Sequence, residues 1–235
     1  MRERLGYAAA IVSGGFGLAL GFAAGQWVTA AIVLGVALAV TIGTFIESGP
    51  DSAKQVAMIA TLTGIAVAGR LLVHPLPGVQ PMTVIVVASG AAFGLRIGIS
   101  VGALGALVSN FFLIQGPWTP WQMTLWALCG AVGALARPLL ERRLSFALAC
   151  AILAYLFSTA MDVSDWWYRY AHTWAGLTLS LTTGFAFTLA HALGSLVIGF
   201  AIGPELRRML ERFARRMRTE VVWSKEPAPS ERTGA

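Results

Sequence analysis

Residues 109–130 read SNFFLIQGPWTPWQMTLWALCG and join two long apolar blocks through a short connection rich in tryptophan, proline and side-chain amides. The chain has 235 residues, of which 57% are hydrophobic and only 12% are charged. Apolar blocks of about 17 to 25 residues match the roughly 30 Å hydrocarbon core of a bilayer. The quoted segment is therefore predicted to connect two membrane-spanning helices on one side of a membrane.

Outward from this segment, glycine, proline, charged and amide residues divide the whole chain into further apolar blocks. The predicted spans lie near residues 7–24, 27–45, 55–73, 82–95, 97–114, 122–139, 145–161 and 174–203. We predict an all-α fold, a polytopic membrane helical bundle. Its predicted parts are an N-terminal transmembrane hairpin over residues 1–50, a membrane core over 51–218 and a cytoplasmic, disordered tail over 219–235.

The basic residues predict how this bundle is oriented. If the N-terminus lies inside, all but two of the 17 lysines and arginines fall on the cytoplasmic side, the exceptions being Arg70 and Arg169. This asymmetry follows the positive-inside rule, so we predict a multi-pass protein of the cell (plasma) membrane with both termini in the cytoplasm. Arg2 and Arg4 before an apolar run also fit a signal peptide, but the apolar block that follows favours a hairpin.

The chain offers little for catalysis, metal binding or nucleic-acid binding. Its net charge of +6 comes mostly from helix ends and the C-terminal tail, which indicates topology and not a nucleic-acid partner. Ser100 in GISVG fits the Gly-x-Ser-x-Gly pattern of serine hydrolases, but it lies inside a predicted span with no carboxylate nearby. Cys129 and Cys150 lie in apolar blocks as small packing residues. We predict a protein that is not an enzyme and has no catalytic residue, metal or cofactor.

The connections predicted on the outer side are rich in aromatic and polar residues, and read LLVHPLPGVQP, LIQGPWTPWQ and MDVSDWWYRYAHT. One interpretation is an interfacial aromatic belt with solvated loops. The other is a lid over an outward-facing pocket, in which indoles stack on a small organic ligand and amides hydrogen-bond its polar rim. The candidate ligand contacts are Arg70, His74, Gln80, Asn110, Gln115, Trp118, Trp121, Gln122, Trp126, Asp162, Asp165, Trp166 and His172.

Small residues repeat four positions apart on two predicted helices, a spacing that lets backbones approach closely in lipid. The first face contains Gly98, Gly102 and Ala106, and we predict that it packs inside the bundle. The second face lies on the predicted span 55–73 and consists of Ala60, Gly64 and Ala68. Spacing alone fits internal packing and an intermolecular docking surface equally well for this second face.

Two ionisable residues lie within predicted spans, where such groups are rare and often functional. His191 fits either a structural hydrogen bond to a neighbouring helix or a functional role. Arg70 lies near the outer end of its span, where it either snorkels to the surface or anchors a ligand carboxylate, phosphate or amide. Both interpretations of each residue remain open at the level of sequence.

Three segments together carry a resemblance to a transporter family. They are GRLLVHPLPGVQP, GALGALVSNFFLIQGPWTPWQMTLWALCGAVGALARP and LAHALGSLVIGF, in that order. Over about residues 54–218 the chain resembles the substrate-binding (S) component of energy-coupling factor (ECF) vitamin transporters. It is most similar to the actinobacterial cobalamin-type branch.

This resemblance implies a six-helix S-component-like core that binds a vitamin, such as cobalamin or another corrinoid, near the outer face. It also implies a membrane T component and two cytoplasmic ATPases as partners in ATP-driven uptake. The T-component interface would be Ala60, Gly64 and Ala68, with glycine in place of the family's central alanine, and the N-terminal hairpin would be additional. The competing class is a structural or sensory membrane protein without transport activity. A channel or secondary transporter is disfavoured because the spans lack paired carboxylates and inverted repeats.

Overall fold

The structure is a computed structural model that describes residues 52–218 and five isolated helical positions between residues 33 and 43. Residues 52–218 form six α-helices, joined by short connections and one 3-10 turn at Arg137–Leu140. The helices are α1 (Ser52–Leu72), α2 (Pro81–Phe93), α3 (Leu95–Leu113), α4 (Thr119–Leu135), α5 (Arg143–Arg169) and α6 (Trp174–Arg218). The predicted all-α class is confirmed for this part of the chain. The hairpin predicted over 1–50, those five positions aside, and the tail predicted over 219–235 lie outside the described residues.

Four of these helices, α1, α3, α5 and α6, are long and apolar enough to cross a membrane by length and composition. This agrees with the predicted membrane protein. The connections 73–80, 114–118 and 170–173 lie at one end of the bundle, which we term the outer end after the orientation predicted from the charges. The turn at Gly94 and the 3-10 turn lie at the opposite, inner end.

α2 forms the buried centre of the bundle. Every residue from 82 to 92 is buried, and the helix contacts each of the five others. Its 13 residues rise about 20 Å, which is shorter than the roughly 30 Å hydrocarbon core. A helix that is apolar on all sides is typical of such a buried position. From sequence, the span predicted near residues 82–95 was equivalent to the other spans, whereas the structure shows an internal helix enclosed by the other helices.

A single residue, Gly94, reverses the chain between α2 and α3. Its backbone angles are φ 92° and ψ −175°, a region that is essentially restricted to glycine. The Gly94 N–H donates to the Gly90 carbonyl at 2.8 Å, and the Gly98 N–H donates to the Gly94 carbonyl at 3.0 Å. This turn brings α3 directly back along α2.

Glycines allow α2, α3 and α4 to pack backbone against backbone. A Cβ atom added to Gly98 would lie 2.6 Å from the Gly130 carbonyl oxygen and 2.7 Å from the Gly90 Cα. A Cβ atom at Gly102 would overlap the Trp126 carbonyl on α4. The prediction that the face with Gly98 and Gly102 packs internally is therefore confirmed.

α5 and α6 extend well beyond the spans predicted near 145–161 and 174–203. These spans followed the apolar blocks, but both helices continue through polar sequence. The extension of α6 passes through Pro204 and carries ion pairs one turn apart, between Arg207 and Glu211 at 2.9 Å and between Arg208 and Glu205 at 3.0 Å. Such i,i+3 and i,i+4 pairs stabilise a helix beyond its apolar part.

Candidate ligand-binding site

A cavity of about 670 Å³ lies at the outer end of the bundle. It is lined by side chains of α1, α3, α4, α5 and α6 and by the connection between α1 and α2. Eight of the 13 residues proposed from sequence as ligand contacts line it, namely Arg70, His74, Gln80, Asn110, Trp118, Gln122, Asp162 and Asp165. Residues as far apart in the chain as Arg70 and Phe187 thus meet around one space.

The other five predicted contacts do not line this cavity. Gln115 donates to the Leu107 carbonyl at 3.0 Å and accepts from the Thr119 hydroxyl at 2.8 Å, so it holds the connection before α4. Trp126 is fully buried in the core. The remaining three are Trp121, Trp166 and His172. Sequence placed all five near the outer end but did not determine which way their side chains face.

The tryptophans in the last turn of α5 pack on the connection to α6. The His172 ring stacks on Trp167 with ring centres 4.6 Å apart, and it lies 5.8 Å from Trp166. The Trp166 indole N–H donates to the Ala171 carbonyl at 3.0 Å. These contacts shape the connection itself.

Arg70 is the most tightly held polar group on the cavity wall, with 7% of its surface exposed. Nη1 donates to the Ser109 hydroxyl at 2.5 Å and to the Asn110 side-chain oxygen at 2.9 Å. Nε donates to Gln80 Oε1 at 3.1 Å, and Nη2 lies 3.5 Å from Gln122 Oε1. The guanidinium therefore points into the bundle and ties α1 to α3 and α4, so it does not snorkel to the surface.

The partners of Arg70 form a network of their own. The Asn110 amide donates to Thr119 Oγ1 at 3.0 Å and to Gln122 Oε1 at 2.9 Å. Below this layer, the guanidinium carbon of Arg70 lies 4.8 Å from the centre of the Trp126 ring, a cation–π contact. The amides therefore position the arginine, and the indole supports it from the protein side.

The charges on the cavity wall are unevenly compensated. Among residues 52–218, Arg70 makes no ion pair, since its partners are neutral amides and a hydroxyl. Four hydrogen-bond contacts occupy four of its five N–H donors, so one Nη2–H remains. Across the cavity, Asp165 pairs with Arg169 at 3.1 Å, and Asp162 accepts from the Thr188 hydroxyl at 3.1 Å. A ligand anion or carbonyl oxygen would supply the acceptor that Arg70 lacks.

His191 is fully buried between two hydroxyl groups. Its Nε2 lies 2.9 Å from Thr83 Oγ1 on α2, and its Nδ1 lies 2.9 Å from Ser158 Oγ on α5. The predicted structural hydrogen bond to a neighbouring helix is therefore present, and there are two. Ser158 also lines the cavity, so His191 connects the core of the bundle to the candidate site.

Several cavity residues were missed from sequence, above all on α5, which contributes Phe157, Ser158, Met161, Tyr168 and Arg169. One signal could have identified Ser158, because it precedes Asp162 by one helical turn and side chains at i and i+4 share a face. The connection 73–80 also packs closely against α6. A Cβ atom at Gly78, whose φ is +82°, would lie 2.7 Å from the Ala190 Cβ.

The face with Ala60, Gly64 and Ala68 is exposed on the outside of the bundle. A Cβ atom added to Gly64 would meet no atom within 4 Å. Among residues 52–218 this face therefore packs against no other helix.

Ser100, in contrast, is buried within α3, and its hydroxyl has no hydrogen-bond partner among the described residues.

The comparisons with known proteins identify a family but no characterised relative. The model of a family of unknown function (DUF6580) matches residues 50–206. No curated protein and no solved structure matches the chain. The matched region contains all of the cavity-lining residues and all six helices except the C-terminal end of α6. The chain therefore belongs to the family of unknown function DUF6580.

Proposed function

We propose that the protein is the substrate-binding membrane subunit of an ECF-type importer, which binds a vitamin or related micronutrient in the outer cavity. Uptake would be driven by a membrane T component and two cytoplasmic ATPases. The observation that carries the proposal is the buried Arg70, which has only neutral partners among the described residues and lines a cavity of about 670 Å³. Burying a cation without an ionised partner costs free energy, and the fold itself does not need a charge at this position. An acceptor group on a bound compound would offset that cost.

The size of the cavity constrains the bound compound. Small-molecule pockets typically enclose roughly 300 to 1,000 Å³, and this cavity lies within that range. A corrinoid with its side chains and nucleotide loop is much larger than a drug-sized molecule and would fit only in part. The proposal therefore favours a smaller vitamin that carries oxygen acceptors.

The proposed orientation places the cavity outside the cell and both termini in the cytoplasm. Of the basic residues in 52–218, only Arg70 and Arg169 lie near the outer end. The positive-inside rule then directs the inner end, with Arg96, Arg142 and Arg143, toward the cytoplasm. This orientation supports uptake and not export.

The proposed function is tested by identifying a bound compound. The protein would be purified in detergent, and co-purifying small molecules identified by mass spectrometry. Protein in lipid nanodiscs would then be titrated with tritiated riboflavin, biotin, pantothenate, thiamine and cyanocobalamin. We expect one compound to bind saturably at one site per chain. If nothing co-purifies and no member of this panel binds, the competing structural or sensory role is favoured.

Trp118 provides the first mutational prediction, because its ring is half-buried and lines the cavity. Trp118→Ala is expected to weaken binding of the panel vitamin, the member of the panel that binds the wild-type protein, about tenfold or more. Removing an aromatic wall costs about 1 to 3 kcal/mol. Trp174→Ala is the matched control at the same end of the bundle, because Trp174 is 84% exposed. Equal losses from both substitutions would indicate a membrane belt and not a ligand wall.

The exposed face at Gly64 provides a second prediction, which concerns the proposed T component. Gly64→Leu is expected to prevent co-purification with a co-expressed T component while the affinity for the panel vitamin is unchanged, because the face lies away from the cavity. Gly64→Ala, which adds one methyl group, should keep both properties. A complex that survives Gly64→Leu would show that the T component docks elsewhere.

A further inference from the structure

Four side chains form one hydrogen-bonded chain from the core of the bundle to the cavity. The Trp126 indole N–H donates to Thr83 Oγ1 at 3.1 Å, and Thr83 Oγ1 lies 2.9 Å from His191 Nε2. On the other side of the ring, His191 Nδ1 lies 2.9 Å from Ser158 Oγ, at the cavity wall. Trp126, Thr83 and His191 are fully buried, whereas Ser158 lies at the cavity wall.

The direction of the hydrogen bonds follows from what each group can donate. An indole N–H can only donate, so Thr83 Oγ1 must accept from Trp126. The Thr83 hydroxyl has no other partner than Trp126 and His191 among the described residues, so its proton must go to His191 Nε2. Nδ1 then carries the imidazole proton and donates it to Ser158.

The alternative directions each leave the proton of Thr83, which does not line the cavity, without an acceptor. If Nε2 carried the proton, Thr83 would accept from both Trp126 and His191, and its hydroxyl proton would have no partner in the described part of the chain. A doubly protonated ring would have the same defect and would add a buried charge. An unsatisfied donor costs about 1 to 3 kcal/mol where it is fully buried. The direction from Trp126 to Ser158 is preferred because it leaves the unused proton on Ser158, at the cavity wall, and not on Thr83 in the core.

Ser158 therefore has a proton that the protein does not use. Its only hydrogen-bond partner among residues 52–218 is His191. Ser89 and Ser164 are also buried, but they donate to the Ile85 and Met161 carbonyls, each at 2.7 Å. The hydroxyls of Ser100 and Ser195 have no partner among the described residues, but neither residue lines the cavity. The Ser158 hydroxyl is thus a donor held toward the cavity.

We propose that Ser158 is a ligand-binding residue that donates a hydrogen bond to an oxygen acceptor of the bound compound, and that Thr83 and His191 are positioning residues that fix this donor. The inference rests on the proposed function for the existence of that compound. The inference extends the proposed function by naming the group of the bound compound that α5 recognises, a carbonyl or carboxylate oxygen. Together with the remaining Nη2–H of Arg70, the cavity presents donors from two walls and selects a compound rich in oxygen acceptors.

The first test needs no ligand. Protein labelled with ¹⁵N-histidine in nanodiscs contains three histidines, and H191Q assigns the His191 signals. We expect the neutral ring with its proton on Nδ1. A proton on Nε2, or on both nitrogens, would overturn the inference whether or not the protein is a transporter.

The second test measures the affinity of the panel vitamin that binds the wild-type protein. Ser158→Ala is expected to lower this affinity about tenfold, the loss of one buried hydrogen bond. Ser164→Ala is the matched control, a buried serine on the same helix whose hydroxyl is already satisfied, and it should leave the affinity unchanged. Unchanged binding in Ser158→Ala would overturn the assigned contact even if Nδ1 carries the proton. Failure of the whole panel to bind would count against the proposed function. The ¹⁵N measurement would still decide the direction of the hydrogen bonds between Trp126 and Ser158.

Discussion

Gly130→Ala is expected to prevent the protein from reaching its folded state, although it adds a single methyl group. A Cβ atom at this position would overlap the Gly98 carbonyl on α3 and lie 3.0 Å from the Gly98 Cα. Overpacking of a core usually costs about 1 to 3 kcal/mol when side chains can rotate away. Here the obstacle is backbone, so α3 and α4 would have to separate, and the cost should exceed that range.

The crossing at Gly130 also involves α2, so the effect should spread. A Cβ atom at Gly98 would lie 2.7 Å from the Gly90 Cα, which shows that three helices meet at this point. The measurement is the yield of monodisperse protein in detergent and its thermal unfolding. Gly64→Ala is the matched control, with no atom within 4 Å of the added methyl group, and it should unfold at or slightly above the wild-type temperature. Wild-type behaviour of Gly130→Ala would contradict the packing of α3 on α4.

The helices of the core could be predicted from sequence because apolar length is a strong signal. Blocks near 55–73, 97–114 and 174–203 correspond to α1, α3 and α6. The internal position of α2 could not be predicted in the same way. A helix surrounded by lipid and a helix surrounded by other helices are both apolar on all sides, and only the tertiary packing separates them.

Part of the candidate site could also be predicted. Arg70, Asn110 and Gln122 stand out as polar residues at the edges of apolar blocks, and the structure brings them together around one cavity. Thr83 and Ser158 do not stand out, because hydroxyl residues are common in apolar helices and usually bond to a carbonyl of their own helix. Their link through His191 joins positions up to 108 residues apart, which no local pattern indicates.

Tryptophan was the least predictable residue type. Trp118 and Trp126 lie within nine positions of each other in the same segment. One lines the cavity and the other is fully buried beneath Arg70. An indole ring suits a ligand wall, a membrane interface and a protein core equally well, so only the direction of the side chain decides its role.

Arg70→Leu is expected to abolish measurable binding of the panel vitamin and to destabilise the outer end of the bundle. Hydrogen bonds to a charged group contribute about 1.5 to 3 kcal/mol each, so losing the contact to a ligand oxygen lowers affinity by roughly ten- to hundredfold. The loss should be larger in practice, because Gln80, Asn110 and Gln122 are positioned by the guanidinium and would no longer be held.

Two further variants accompany this prediction, one that separates charge from geometry and one control. Arg70→Lys keeps the positive charge but replaces the planar fork with a point charge, so it should restore part of the affinity and little of the network. Arg137→Gln is the control at the inner end, where the arginine is half exposed and pairs with Glu211 at 3.4 Å. Such surface pairs contribute about 0 to 1 kcal/mol, so binding and unfolding temperature should stay near the wild-type values. If Arg70→Leu binds as well as the wild-type protein, Arg70 is a structural clamp, and the acceptor group of the bound compound faces α5 alone.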